Sequence, residues 1–376
     1  MQARTQCSDI PLLDLRALHA ELRDEVLSAI TRVVDSQRFI MGEEVAKLEN
    51  AVAGYCGARF AVACASGSEA LYLALMALGV GPGDRVATTP FSFFATAGSI
   101  SLLGARPVFV DIDPATFNID VARLSDTLQR NPGIKAVIPV HLFGGCADMD
   151  PILDAAREHD CHVIEDSAQS IGAEYNRKRV VFGRVSCSSF YPTKNLGAFG
   201  DAGMLATDDQ QLAERLASLR QHGGVTKYKH DRIGINSRLD TIQAAVLLVK
   251  MAYLDRWTEG RRRNAELYRQ HLQYTPVTAP CEAPYQTRHV YNQFVIRTER
   301  RDALKEHLRR NGVGTEIYYP IPLHLQPCYR DLGYKDGDFP NSERAARGAL
   351  ALPIHSALSE DDIVRVAALI REFHAA

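Results

Sequence analysis

Val163-Ile164-Glu165-Asp166-Ser167-Ala168-Gln169 joins a short apolar run to two acids and a turn of small residues. Such a run reads as a buried strand, and its acids then stand at the C-terminal end, where open α/β sheets hold their ligands. The same unit repeats outward from it. A helical pattern from Pro151 to His159 precedes it. Arg85-Val86-Ala87-Thr88-Thr89, Pro107-Val108-Phe109-Val110 and Ala136-Val137-Ile138-Pro139-Val140 are further strand-like runs, as is His162-Val163-Ile164 itself. Alternating strands and helices imply βαβ units, hence an α/β fold with a mostly parallel central sheet and flanking helices.

Upstream, Leu15 to Val34 and Glu43 to Tyr55 carry apolar residues at three- and four-residue spacing and read as two amphipathic helices. Ser66-Gly67-Ser68-Glu69 opens a third, with Ser66 and Glu69 at capping-box spacing and Gly79 as its stop. Downstream, helices are expected from Asp209 to His222 and from Leu239 past Trp257. A different rhythm starts near Arg288. It runs as a strand from Val290 to Thr298, a helix from Glu299 to Asn311 stopped by Gly312, and a strand from Gly314 to Tyr319. A proline-rich stretch follows, then a last helix opened by Ser359 with Asp362 in the capping position. This is a smaller C-terminal α+β unit, and a boundary between Tyr274 and Tyr291 divides the chain into residues 1–275 and 276–376. A length of 376 residues suits one large and one small domain.

With 43 basic and 45 acidic residues the net charge is −2, which argues against nucleic acid or a membrane surface as an obligate partner. Met1 to Asp14 lacks the basic-then-apolar pattern of a signal peptide, and no apolar run approaches the roughly 18 residues that span a bilayer. A soluble, cytoplasmic protein is expected. The eight cysteines, from Cys7 to Cys328, form no C-x-x-C pair, and Cys161 and His162 would face opposite sides of a strand. Buried free thiols and no metal are expected.

A second chemical segment is Ser188-Ser189-Phe190-Tyr191-Pro192-Thr193-Lys194-Asn195-Leu196-Gly197, a lysine in a loop rich in Ser, Pro and Gly. Three features therefore coincide: a helix N-terminus suited to phosphate, a strand-end carboxylate and a loop lysine. Chemistry on pyridoxal 5′-phosphate (PLP) needs these parts. A lysine forms the Schiff base and shuttles a proton, a carboxylate keeps the pyridine nitrogen protonated, and N–H groups bind the phosphate dianion. Taken singly, each residue has a plainer role. Lys194 and Arg238 read as surface charges, Asp166 and Asn236 as turn residues, Ser66 as a helix cap, and Phe93 and Phe94 as core aromatics. The chain has neither G-x-G-x-x-G after its first strand nor a P-loop, which weakens a nucleotide-binding reading without PLP.

At these residues the sequence resembles the DegT/DnrJ/StrS family of PLP-dependent nucleotide-sugar aminotransferases, which have the aspartate aminotransferase (type I) fold. The resemblance runs from Phe39-Ile40-Met41-Gly42 to Leu352-Pro353-Ile354. Its most specific pieces are Glu165 to Gln169, Ser189 to Asn195, and Gly234-Ile235-Asn236-Ser237-Arg238-Leu239-Asp240-Thr241-Ile242-Gln243-Ala244-Ala245. It implies that Lys194 is the Schiff-base lysine and Asp166 the pyridinium partner. Gln169 would lie near the phenolic oxygen, and Phe93 would stack on the ring. Gly67 and Ser68 would give backbone N–H groups, and Ser189 its hydroxyl, to the phosphate. Asn236 would reach the phosphate of the partner subunit, which implies a homodimer with shared sites. Arg238, Tyr318, Tyr319 and His324 are the residues expected at the sugar substrate.

The chain departs from the family in two places. Tyr318-Tyr319-Pro320 stands where many relatives have His-Tyr-Pro, and Ser68 stands for a threonine. A dehydratase branch has histidine at the lysine position, so Lys194 argues for transamination. The resemblance implies glutamate as donor and a ping-pong cycle. The runs Gln221-His222-Gly223-Gly224, Lys229-His230 and Asn236 to Asp240 look most like the branch aminating carbon 3 of nucleotide hexoses, including UDP-linked N-acetyl sugars. Amination at carbon 4 is the alternative. A PLP-binding regulator without turnover is the alternative of another class.

Overall fold

Seven strands build the central sheet: β1 (Phe60–Cys64), β2 (Arg85–Thr88), β3 (Arg106–Phe109), β4 (Ile134–Ile138), β5 (His162–Asp166), β6 (Val185–Ser189) and β7 (Gly203–Thr207). A computed structural model describes residues 9–179, 181–226 and 228–375; Cys7 lies outside them. The spatial order is β1-β7-β6-β5-β4-β2-β3. Strands β6, β5, β4, β2 and β3 run parallel, whereas β7 is antiparallel to both β1 and β6. Parallel neighbours need a long crossover, usually a helix. The stretch between β6 and β7 contains none, so the chain folds straight back and Ser189 pairs with Gly203. Lys194 sits in that return loop.

Alternation along the strands separates two cores. Val86, Ile138 and Ile164 face the Gly67–Ala77 and Gln210–Leu219 helices, while Ala87, Val137 and Val163 face Val121–Arg130 and Met149–Glu158. Burial on both faces is why these strands read as continuous apolar runs. The C-terminal region pairs Phe294–Arg297 antiparallel with Ala349–Leu352. Its core joins these strands to helices Arg301–Arg310 and Glu360–Ala375, to Tyr268 and Leu272 of the Leu254–Leu272 helix, and to Ile10.

Several expectations are corrected. The Leu15–Val34 helix is two, Leu15–Ala20 and Arg23–Ser36, because Leu22 turns inward against Val26, Val246 and Trp257. The long helix from Leu239 is also two, Thr241–Met251 and Leu254–Leu272. Gly314–Tyr319 is no strand. Only Glu316 bridges to Ala351, and Tyr319 is drawn instead to Gln169. Cys64, Cys146 and Cys187 are buried free thiols, but Cys281 and Cys328 are exposed. Among the described residues no helix is long and apolar enough to cross a membrane.

Candidate active site

The two acids at the end of β5 face opposite ways. Glu165 is fully buried and accepts from the Phe182 and Gly183 amides at 2.6 and 2.7 Å. Its other oxygen lies 3.0 Å from His141 Nε2. The Ala147 amide donates to His141 Nδ1 at 3.0 Å, so Nε2 carries the hydrogen and donates to Glu165. That acid is satisfied inside the protein. Asp166, 5% exposed, is the one aimed at the loop lysine. Thr96 Oγ1 donates to its Oδ2 at 2.7 Å and the Ala168 amide to its Oδ1 at 3.2 Å. Ser92 Oγ lies 2.9 Å behind Thr96 Oγ1 and donates to it, since the Thr96 proton is committed to Asp166. Burial pushes the Asp166 carboxyl up, while Thr96, Ala168 and the nearby Lys194 ammonium pull it back.

Lys194 is coupled to that carboxylate. Burial of its amine holds it down to about 8, with Asp166 pulling the other way. An amine near this value exchanges protons at physiological pH, which an ordinary lysine does not. The loop is tied by the Lys194 amide to Tyr191 O and the Ala198 amide to Phe190 O, both 2.8 Å, and by Asn195 Nδ2 to Val290 O at 2.9 Å.

Gln169 is fixed by its two ends. Oε1 accepts from the Phe143 amide at 2.6 Å, which leaves Nε2 to donate to Tyr319 Oη at 3.0 Å. The Phe93 ring lies 6.3 Å from that of Tyr319 and is 58% exposed, so one face is free. Ser66 caps the Gly67–Ala77 helix by accepting from the Glu69 amide at 3.2 Å, as its spacing predicted. A Cβ placed on Gly67 would lie 2.5 Å from Ser189 Cβ. The helix start and the end of β6 therefore meet, and only glycine lets Ser189 approach the free N–H groups there.

The structure thus brings Lys194 near Asp166, Gln169 to Tyr319, Tyr319 to Phe93 and Gly67 against Ser189, while Ser68 and Phe93 share an open groove. Tyr318 packs beside Tyr319, ring centroids 5.8 Å apart. Asn236 is exposed on the surface of this chain, next to a buried Ser237 that donates to Glu69 Oε2 at 2.6 Å. Arg238 is half-buried, and its Nε has no hydrogen-bond partner among the described residues. His324 is corrected. Its ring is buried against Phe339, with Nε2 3.2 Å from Glu343 Oε1, and it has no surface left for a substrate. Thr96 and Ser237 were missed, because a hydroxyl's partner 70 or 168 residues away leaves no local trace.

A return-loop lysine coupled to a buried strand-end carboxylate, beside a helix start with a glycine cradle, defines a PLP-dependent transferase of type I fold. The donor set fits that cofactor: an amine of lowered basicity, an acid for a ring cation, and free N–H groups for a dianion. The chain belongs to the DegT/DnrJ/EryC1/StrS aminotransferase family, whose profile matches residues 20–371, and PLP is its cofactor. It is 48% identical to a pleiotropic regulatory protein of Geobacillus stearothermophilus, over 97% of this chain and 99% of that one. It is 44% identical to the UDP-N-acetyl-3-dehydro-alpha-D-glucosamine 3-aminotransferase of Acidithiobacillus ferrooxidans, over 98% of both chains. Among solved structures it is similar to S. venezuelae DesV, with a TM-score of 0.96, 41% identity, and coverage of 98% of this chain and all of that one.

Proposed function

We propose that this enzyme transfers an amino group from L-glutamate to a nucleotide-linked 3-keto hexose, with a UDP-linked N-acetyl sugar as the favoured substrate. Support for position 3 comes from the Acidithiobacillus relative and from a dTDP-3-amino-3,4,6-trideoxy-alpha-D-glucose transaminase that is 41% identical. A homodimer in the cytoplasm goes with the reading, with Asn236 of each chain serving the phosphate of the other. The observation that carries it is the placement of Lys194, in the return loop after the Val185–Ser189 strand, near the buried Asp166 at the neighbouring strand end.

When bound, PLP would supply an electron-withdrawing ring that stabilises negative charge on the substrate carbon bearing the amino group. The protein's residues do the rest. The N–H groups of Gly67 and Ser68 with the Ser189 hydroxyl would hold the phosphate. Asp166, which accepts from the Thr96 hydroxyl, would hold the proton on the ring nitrogen. Gln169 would face the phenolic oxygen, and Phe93 would cover one ring face. Lys194 would hold the cofactor through its amine and, when free of it, would take up and return the proton at the α-carbon of the donor and, in the second half of a ping-pong cycle, at the matching carbon of the sugar. Arg238, Tyr318 and Tyr319 are proposed to face the sugar or its diphosphate.

A second reading has specific support, because the Geobacillus relative is called a regulatory protein. The intact set of Lys194, Asp166 and Gln169 favours turnover. The deciding experiment is the visible spectrum of purified protein before and after glutamate, with Lys194→Ala alongside, followed by a screen of 3-keto and 4-keto nucleotide sugars. We expect a yellow band that glutamate bleaches in the wild type, and no measurable turnover in the variant. A protein that takes up PLP but never turns over would favour the regulator. Wild-type activity in Lys194→Ala would refute the lysine assignment.

A further inference from the structure

Lys250 stands where the pattern of its helix calls for an apolar residue. The Thr241–Met251 helix turns Thr241, Ala244, Ala245, Val246, Leu247 and Lys250 inward, and Lys250 is 3% exposed. A buried ammonium is costly unless other groups replace its water. Among the described residues no carboxylate pairs with it. Its partners are neutral: it donates to the Gly197 carbonyl and to His19 Nε2 at 3.0 Å, and it faces the Phe199 ring at 5.5 Å. Burial, with the Lys250 charge beside it, lowers His19 to about 4, so its ring is neutral and Nε2 is free to accept.

Gly197 is three residues beyond Lys194 in the return loop. A Cβ on Gly197 would collide with the Pro192 carbonyl oxygen, so the loop closes on itself there with Lys194 inside the closure. Lys194, Asn195, His19 and Lys250 line one small crevice, so Lys250 and the catalytic lysine share a wall. An apolar residue at 250 would leave the Gly197 carbonyl without this donor. The mechanism above gives Lys250 no task.

We propose that Lys250 is a positioning residue for Lys194, fixing the return loop through the Gly197 carbonyl so that the catalytic amine meets the reacting carbon. The proposal rests on the assignment of Lys194 as the proton-shuttling lysine. Misplacement of a catalytic group by about 1 Å costs on the order of 10²-fold in rate.

The test is Lys250→Met in the full-length chain. In cofactor-free protein, hydrogen exchange of the amides from Tyr191 to Ala198 should quicken about tenfold or more while that of Val185–Ser189 stays unchanged. With PLP and glutamate, kcat should fall about 10- to 100-fold. KM and PLP affinity should hold within about threefold. Unchanged loop exchange, unchanged kcat, or a parallel loss of PLP affinity and kcat would each overturn the proposal. If Lys250→Met does not fold, Lys250→Arg and His19→Leu carry the test. Arginine keeps a donor and should retain most of kcat, whereas His19→Leu, one partner fewer, should lower it severalfold; the reverse order overturns the proposal. Wild-type turnover by Lys194→Ala would instead remove the parent assignment, whatever Lys250→Met does.

Discussion

Two helix starts in this protein carry the same signal and use it differently. At the C-terminal helix the box closes on itself: the Asp362 amide donates to Ser359 Oγ at 3.1 Å, and the Ser359 amide donates back to Asp362 Oδ2 at 3.2 Å. At the Gly67–Ala77 helix only half of it forms. The Glu69 amide donates to Ser66 Oγ, but the Glu69 carboxylate is turned away to accept from Ser237 Oγ at 2.6 Å. Ser237 also accepts from the Ala65 amide at 3.3 Å, so this bond pins the Asn236–Arg238 segment to the helix start. A capping box can therefore serve stability alone, or give up half its closure to dock a distant segment at a site.

That contrast can be sharpened by substitutions at both ends of the molecule. The largest effect is expected at the site itself: Asp166→Asn should retain cofactor yet lose about 10²–10³-fold in kcat. Steady-state rates with a spectrum of the purified variant check this, and an undiminished rate would break the pyridinium argument. A smaller effect is expected at the diverted box. Ser237→Ala should lower kcat/KM for the sugar about tenfold and cost about 1–3 kcal/mol, because the Glu69 carboxylate loses its partner. Denaturant titration and kinetics on one preparation read both quantities, and unchanged kcat/KM would reduce the diverted bond to packing. The smallest is at the closed box. Ser359→Ala should cost about 1 kcal/mol of stability and leave kcat/KM untouched. A fall in activity there would end the distinction between the two helix starts.

Much of the site was legible because its signals are short. Asp166 and Gln169 sit three residues apart on one strand end, and Lys194 is framed by its own loop. Resemblance then supplied roles that spacing alone left open. The failures have one physical origin. Gly314–Tyr319 has a strand's composition, but Tyr319 is held by an amide 150 residues away. The resemblance placed His324 at the sugar, yet its ring folds inward, where Glu343 and Phe339 lie against it.

The sequence by itself determined the βαβ order, the strands buried on both faces, both Ser-led helix starts and the lysine in its loop. Each is set by groups within about four residues or by a period along one segment. Only the tertiary structure decided that β7 turns antiparallel, that Thr96 stands behind Asp166, and that Glu69 reaches Ser237 rather than closing its own box. It also decided that Lys250 lies beneath the lysine loop. A buried polar atom must find a partner wherever the chain happens to pack beside it, and that choice belongs to the assembled fold rather than to any one segment.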